Sequence, residues 1–471
     1  MTTTCGWNLE GRLTRTAPAD ALVLFASRDG GISDDTAAAL YGMARHGHLT
    51  MPVGIVHTED TPLDAVRTRI KDANERRGPI DRDTLGRVLG VMRSVDLQNR
   101  PIAVRPLYHL ALQPAELAGA LEEIRRNGGA QGGRALLDKP FGHDLHTARA
   151  LNHLLGQIFA ERDIFRVDHY LLDDRIHQLL SFRQSHAFVE PLWNRHHVES
   201  VQITVADADG VADGAQYDRT GAIRDTLQSD VLHLLASVAM DLPAGADSEV
   251  IRGERARLLK AVRTAAPGDL VRGQFRGYHR GPHVRCHSTT ETFAAVRLAI
   301  DSDRWAGVPF HLRTGRRLAA TVAEVVVKLR PLARATAAGS GLEGGYVRFR
   351  CAPTAAIEVV TPAFTRRPSE RTADYGPTDR PRVLRSALEE MLTDAIRGNS
   401  ARFARRDHVE DAWRIVSRLV DDESPVLPYE AGSWGPVSVN RASAPDGGWA
   451  NPVPSRAADS SLSRSAQAAR R

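Results

Sequence analysis

The chain has 471 residues and a formal net charge of +5, with 42% hydrophobic and 25% charged residues, which is the composition of an ordinary soluble globular enzyme. That length exceeds what one compact core fills, so two domains are expected. Arginine supplies most of the positive charge: Lys71, Lys139, Lys260 and Lys328 are the four lysines, and basic residues are interleaved with acids, which argues against a nucleic-acid partner.

Cys5, Cys286 and Cys351 lie far apart and suggest neither a disulfide framework nor a metal site. No apolar run approaches the roughly 20 residues that span a bilayer. The first thirty residues lack the pattern of a signal peptide. A cytoplasmic protein without metal or membrane contact is expected.

Residues 1–19 read as a flexible arm. ALVLFAS (Ala21 to Ser27) is an apolar run of strand length. DDTAAALYGMARHG (Asp34 to Gly47) has helical composition, with Ser33 or Asp34 as cap and Gly47 as stop. MPVGIVH is a second strand, followed by helical segments over 62–76 and 82–94. PIAVRPLYHLAL carries one or two strands, and PAELAGALEEIRRNGG is a helix opened by Pro and closed by Gly. RALLDKPFG is a strand then a loop, DLHTARALNHLLGQIFAE a helix, and IFRVDHY a strand. This alternation predicts an α/β Rossmann-like domain over 20–177, a parallel sheet with helices on both faces. A dinucleotide would sit on the helix start after Phe25.

Beyond residue 178 the pattern changes. VESVQITVADADG, LVRGQF, TFAAVRLAID and TVAEVVVKLRP are rich in Val, Ile, Thr and Phe with no helix between each pair, which predicts an antiparallel sheet. Helices are expected at GAIRDTLQSDVLHLLASVAM, at EVIRGERARLLKAVRTA and near 381–398. Residues 178–450 thus read as an α+β domain for substrate and oligomerisation, and 451–471, rich in Ser, Ala and Arg, as a disordered tail.

Seven strings in chain order carry a resemblance: LDKPFGHDLHTARALN, IFRVDHYLLDD, FVEPLWNRHHVESVQIT, YDRTGAIRDTLQ, VRGQF, TETFAAVRLAIDSDRWAGVPFHLRTGRRL and YEAGSWGP. Together they resemble the glucose-6-phosphate dehydrogenase family from about Ala21 to Pro436. The resemblance implies a Rossmann domain, a second domain with a large antiparallel sheet, and a homo-oligomer, dimer or tetramer. It implies hydride transfer from C1 of glucose 6-phosphate to NADP in the pentose phosphate pathway, with 6-phosphogluconolactone as product. Asp168 would orient the catalytic base, and His169 and Tyr170 would hold the sugar phosphate. Lys139 would touch sugar and cofactor. Asp207, Asp225 and Arg316 would bind the sugar. The chemistry is coherent, because a base needs a partner carboxylate and a phosphate needs cationic or neutral donors. Arg316 stands where the family often has lysine and offers a planar fork in place of a point charge.

Three places depart from the family pattern. Where the family has Gln-Asn-His, this chain has Gln228, Ser229 and Asp230, so the base position is Asp230. His233, one turn on, is either a second candidate or a helix-surface histidine. Three residues after Tyr170 the family's phosphate-gripping lysine is replaced by Asp173, an acid that repels phosphate but suits a helix start. The dinucleotide loop reads FASRDGGISDDT: Ala26 and Asp29 fall on glycine positions, Gly30 and Gly31 restore the turn by a one-residue shift, and Asp34 and Asp35 replace a basic pair and are expected to repel pyrophosphate. His57 stands at the 2′-phosphate position, leaving NADP and NAD both open. Two readings follow. One is an active sugar-phosphate dehydrogenase with unusual site residues. The other is a catalytically impaired paralogue, a sugar-phosphate binder or regulatory subunit in a hetero-oligomer with an active family member.

Overall fold

The computed structural model describes residues 18–26, 32–56, 62–95, 97, 104–112, 114–126, 128, 132–167, 174–187, 189–211, 214–243, 245, 247–331, 345–352, 356–360, 372–374, 386–439 and 448–452. The chain divides into two compact units, each built from three stretches. The first holds Met1–Ser181, Ala236–Lys260 and Asp379–Arg414, and the second Phe182–Leu235, Ala261–Thr378 and Ile415–Arg471.

In the first unit, six strands pair in parallel: β1 (Ala21–Phe25), β2 (Val53–Val56), β3 (Met92–Val95), β4 (Pro106–Leu110), β5 (Arg134–Leu137) and β6 (Ile164–Arg166), in the order β3-β2-β1-β4-β5-β6. Successive side chains alternate faces along a strand, and here both faces are covered. Leu22 and Leu24 of β1 therefore join one core with the helices Asp34–Arg45, Leu63–Arg77 and Ala387–Arg397, while Val23 and Phe25 join the other with the helix Pro114–Arg126. Strand order reverses between β1 and β4, and in open α/β sheets ligands bind at the carboxyl ends of strands at such a point. The helix expected over 82–94 ends at Val91, and Met92–Val95 turns into the edge strand β3. Arg134, buried on β5, donates to the carbonyls of Ala395 (3.2 Å) and Ile396 (2.6 Å), satisfying the last turn of the helix Ala387–Arg397.

In the second unit, nine strands form one sheet: β7 (Val198–Ala206), β8 (Leu270–Phe275), β9 (Phe293–Leu298), β10 (Phe310–Gly315), β11 (Val322–Leu329), β12 (Tyr346–Ala352), β13 (Ala356–Val360), β14 (Thr372–Asp374) and β15 (Leu427–Tyr429), in the order β14-β13-β12-β11-β7-β10-β9-β8-β15. Most pairs are antiparallel, as expected, but β10 runs parallel to β7 and β15 parallel to β8. The parallel β7–β10 pair matters for the site. It sets the last residues of both strands side by side, Gly315 opposite Ala206. No described helix is long and apolar enough to cross a membrane.

Candidate active site

The dinucleotide end of the first unit begins where β1 stops. The Ala26 amide donates to the Val56 carbonyl at 2.9 Å, which ties the chain leaving β1 to the end of β2. Asp29, Gly30, Gly31 and His57 lie outside the described residues. The next helix is capped by Ser33, whose hydroxyl accepts from the Thr36 amide at 3.0 Å. Asp34 and Asp35, expected to repel a pyrophosphate, do not stand alone. Arg76 reaches Asp34 at 2.8 Å, Arg69 lies 3.4 Å from it, and Arg77 meets Asp35 at 2.5 Å. The Arg76 hydrogen bond holds the Asp34 carboxyl below its ordinary value. Both acids are thus met by arginines of the neighbouring helix Leu63–Arg77.

Lys139, half-buried, follows β5, and the local sequence explains its loop. Asp138 lies 3.2 Å from Nε2 of the buried His109 on β4. The Lys139–Pro140 peptide is cis. The Phe141 carbonyl accepts from the Trp413 indole at 3.1 Å. Gly142 has φ 83, and a Cβ there would lie 2.6 Å from the Ala148 amide nitrogen, so the loop packs on the next helix only with glycine at that position. Asp144 and Thr147 then close a capping box. Val167, the last described residue before Asp168, donates to the Leu137 carbonyl at 2.8 Å, so the chains leading to Lys139 and to Asp168 leave the sheet side by side. Asp168, His169, Tyr170 and Asp173 themselves lie outside the described residues.

The second unit holds the remaining candidates. The helix Gly214–Ala222 kinks at Gly221, φ 65. The Ala222 amide donates to the Glu291 backbone carbonyl at 3.0 Å, and the Ile223 amide to the Glu291 carboxylate at 3.2 Å. Arg272 steadies that carboxylate at 3.0 Å. From there Ile223–Val231 is a π-helix, not the expected α-helix. In an α-helix, residues five apart are about 140° apart around the axis, whereas i→i+5 bonding brings them close to one face. Asp225 and Asp230 are such a pair. The Ser229 hydroxyl between them lies 3.1 Å from the Asp225 carbonyl and 3.0 Å from Oδ1 of Asp230.

Arg316, just past β10, spreads its fork over two acids: Nη1 donates to Asp207 at 2.5 Å and Nη2 to Asp225 at 2.9 Å. Its guanidinium lies 5.5 Å from the centre of the Tyr217 ring. The Arg316 amide donates to the Thr292 carbonyl, and its carbonyl accepts from the Tyr429 hydroxyl at 2.6 Å, which fixes the backbone under the fork. Burial opposes the charge on Arg316, but Tyr217, Asp225 and Asp207 outweigh it and raise the pKa further. Burial and the Asp225 charge likewise push the Tyr217 hydroxyl well above its ordinary value. Asp207, Asp225 and Arg316 are thus brought together, with Asp230 linked to them through Ser229. Of the two readings of His233, a second base candidate or a helix-surface histidine, the surface one is corrected: the residue is 4% exposed, because the π-helix ends at Val231 and the next turn faces the core. Tyr217, Ser229 and Glu291 are supporting residues that sequence reasoning missed. All three lie inside strings already singled out, but Glu291 meets the Ile223 amide from 68 residues along the chain, a pairing that no local pattern reveals. Among the described residues no group of His, Cys, Asp or Glu could hold a metal ion.

Residues 34–177 match the family model of the glucose-6-phosphate dehydrogenase NAD binding domain, and residues 180–450 match that of the glucose-6-phosphate dehydrogenase C-terminal domain. The chain belongs to the glucose-6-phosphate dehydrogenase family. It is 32% identical over 467 aligned positions to glucose-6-phosphate 1-dehydrogenase 1 of Mycobacterium tuberculosis, covering 93% of this chain and 98% of that protein. It is 36% identical to glucose-6-phosphate 1-dehydrogenase of Mycolicibacterium smegmatis over 71% of this chain and 72% of the relative. The crystal structure of glucose-6-phosphate 1-dehydrogenase from Mycobacterium avium superposes with a TM-score of 0.83 at 31% identity, over 93% of this chain and all of that one. The family resemblance and the expected two-part fold are therefore borne out, and the NAD binding domain implies a dinucleotide cofactor.

Proposed function

We propose that the chain oxidises glucose 6-phosphate at C1 with NADP as hydride acceptor, and that Asp230 takes the proton. The observation that carries this reading is the match to both family domains across nearly the whole chain; the Asp207–Arg316–Asp225 network, whose residues the sequence resemblance assigns to the sugar, supports it. A guanidinium shared by two carboxylates suits sugar hydroxyls, each of which can accept from the fork and donate to an acid. By the resemblance, Lys139, His169 and Tyr170 would hold the sugar phosphate and Asp168 would orient the base, while Asp173 at the phosphate position would be a cost to binding.

The C1 hydroxyl proton passes to the Asp230 carboxylate, held by Ser229, as the hydride leaves C1 and the carbon becomes the lactone carbonyl. Bound NADP supplies the hydride acceptor. Ala26, Asp29, Gly30, Gly31, His57 and Lys139 would hold it, and the arginine pairing of Asp34 and Asp35 relieves the repulsion that those acids alone would offer. The proton is assigned to Asp230 in preference to His233, which is 4% exposed. A homodimer or homotetramer accords with the family. Replacing the base should cost about 10² to 10⁴ in rate, so Asp230→Asn is expected to lower kcat by that factor while dinucleotide binding is retained. An unchanged kcat would remove Asp230 from the mechanism.

A second reading rests on one observation. Asp207 and Asp225 are already bonded to Arg316, so a sugar can be held without being turned over. On that reading the chain is a sugar-phosphate binder paired with an active family member. Co-purification of a second dehydrogenase would support it, and a single homomeric species would count against it.

A further inference from the structure

Within the first unit, a cavity of about 580 Å³ opens between the helices Asp34–Arg45, Leu63–Arg77 and Ala387–Arg397. This volume is within the roughly 300–1,000 Å³ of small-molecule pockets. Ala38, Tyr41, Gly42 and Arg45 line it at helical spacing, so one face of a single helix forms one wall. It is not the dinucleotide site. That site belongs to the other end of the same helix, and Arg45 stands ten residues beyond Asp35, about 15 Å along the axis.

The lining has a definite polarity. Arg77 is engaged by Asp35 at 2.5 Å, and Nδ1 of His46 lies 2.6 Å from Oε1 of Glu389, a carboxylate 1% exposed. A side chain at Gly42 would collide with that carboxylate, so glycine there admits Glu389 to the wall. Arg45, by contrast, has no ion pair or hydrogen bond with any described residue, so its charge at the mouth is uncompensated among the described residues. Deeper in, Asn74 is 6% exposed and spends its amide hydrogens on the carbonyls of Ile70 (2.8 Å) and Ala37 (3.2 Å). Its oxygen accepts nothing from the described residues. The Tyr41 hydroxyl accepts from the Asp81 amide at 2.7 Å, which leaves its own hydrogen to donate.

We propose that this cavity binds a small phosphorylated polyol, with the phosphate on Arg45 at the mouth and the hydroxyls on Asn74, Glu389 and Tyr41 inside. An anion answers the unpaired guanidinium, and a hydroxyl, both donor and acceptor, answers the buried amide oxygen and the carboxylate. The inference stands on this cavity alone and does not depend on the dehydrogenase reading.

Hydrogen–deuterium exchange of the full chain tests it, with glycerol 3-phosphate, inorganic phosphate and glycerol as probes. Glycerol 3-phosphate is expected to slow exchange over residues 38–48 and 386–392, and inorganic phosphate or glycerol to do so far less. A charge-assisted contact to phosphate predicts that Arg45→Ala raises the concentration required at least about tenfold. Arg316→Ala, in the other unit, should leave it unchanged. Arg45 is exposed, so its removal spares the fold, and Arg45→Glu provides a second variant with a larger loss. The proposal is overturned by an absence of slowing, by slowing that survives both Arg45 variants, or by an equal effect from inorganic phosphate, which would leave the inner acceptors without a role.

Discussion

The guanidinium of Arg316 does what a lysine could not, meeting Asp207 and Asp225 with separate nitrogens of one rigid fork. Two carboxylates left facing each other without it would repel, and neither would be poised for a neutral hydroxyl. Losing charge-assisted bonds worth about 1.5–3 kcal/mol, Arg316→Ala is expected to raise KM for the sugar phosphate at least tenfold, with KM for the dinucleotide little changed. Steady-state kinetics with each substrate varied in turn checks this. A loss confined to the dinucleotide would place Arg316 in the wrong site. Arg316→Lys should fall between, since an ammonium can favour one acid at a time. Arg316, Asp207 and Asp225 were singled out in the sequence, and the structure joins them in one network. Tyr217 beneath the fork was not, because a cation over a ring face depends on the packing of distant elements.

At the scale of elements, Gly221 and Glu291 govern how the Asp225–Asp230 segment is wound. A Cβ at Gly221 is strained by its φ of 65 and would also meet the Glu291 carboxylate that caps the Ile223 amide. Strained-backbone and lost-cap effects of this kind sum to about 1.5–5 kcal/mol. Gly221→Ala is therefore expected to lower the stability of the second unit by that much and to reduce turnover beyond what stability explains. Denaturant melts alongside kcat would show it. A variant as stable and as fast as the parent would contradict the role given to the kink.

The neighbouring Asp218 pins the segment 285–290. Its carboxylate accepts from Arg285 at 2.6 Å and from the Ser288 hydroxyl, and its carbonyl accepts from Thr290 at 2.8 Å. Burial alone would raise the Asp218 pKa, but the bonds to Ser288 and Arg285 outweigh it and lower the pKa below the ordinary 3.8. With the folded value depressed, the stabilisation is present above the unfolded value and is lost as pH falls through the folded one. Asp218→Asn should cost about 1–3 kcal/mol at neutral pH and flatten the acid limb below the ordinary carboxylate value. Unfolding by urea at stepped pH measures both, and an acid limb identical to the parent's would refute the assignment.

Across the whole molecule, the class of each part was legible because hydrophobic patterning reports coverage. Runs such as ALVLF, apolar on both faces, belong to a sheet clothed on both sides, and the long strands after residue 198, with no helix between each pair, belong to a mostly antiparallel one. Three features were not legible. Strand β3 was hidden because Met92-Arg93-Ser94-Val95 has no apolar run and is held only at the sheet edge by β2. The π-helix was hidden because its residues have ordinary helical composition and its widening goes with a kink and a cap from Glu291, 68 residues from Ile223. The pairing of Asp34 and Asp35 was hidden because Arg69, Arg76 and Arg77 lie a strand and most of a helix further on.

Turnover of glucose 6-phosphate with a carboxylate as base is read from absorbance at the reduced-nicotinamide band. Purified, folded protein is mixed with glucose 6-phosphate and either NADP or NAD. Turnover with NADP is expected, and Asp230→Asn and Asp168→Asn are each expected to lower it, the former by about 10² to 10⁴. Absence of turnover with either cofactor, from protein shown to be folded, would contradict it and turn attention to the binding partner of a non-catalytic chain.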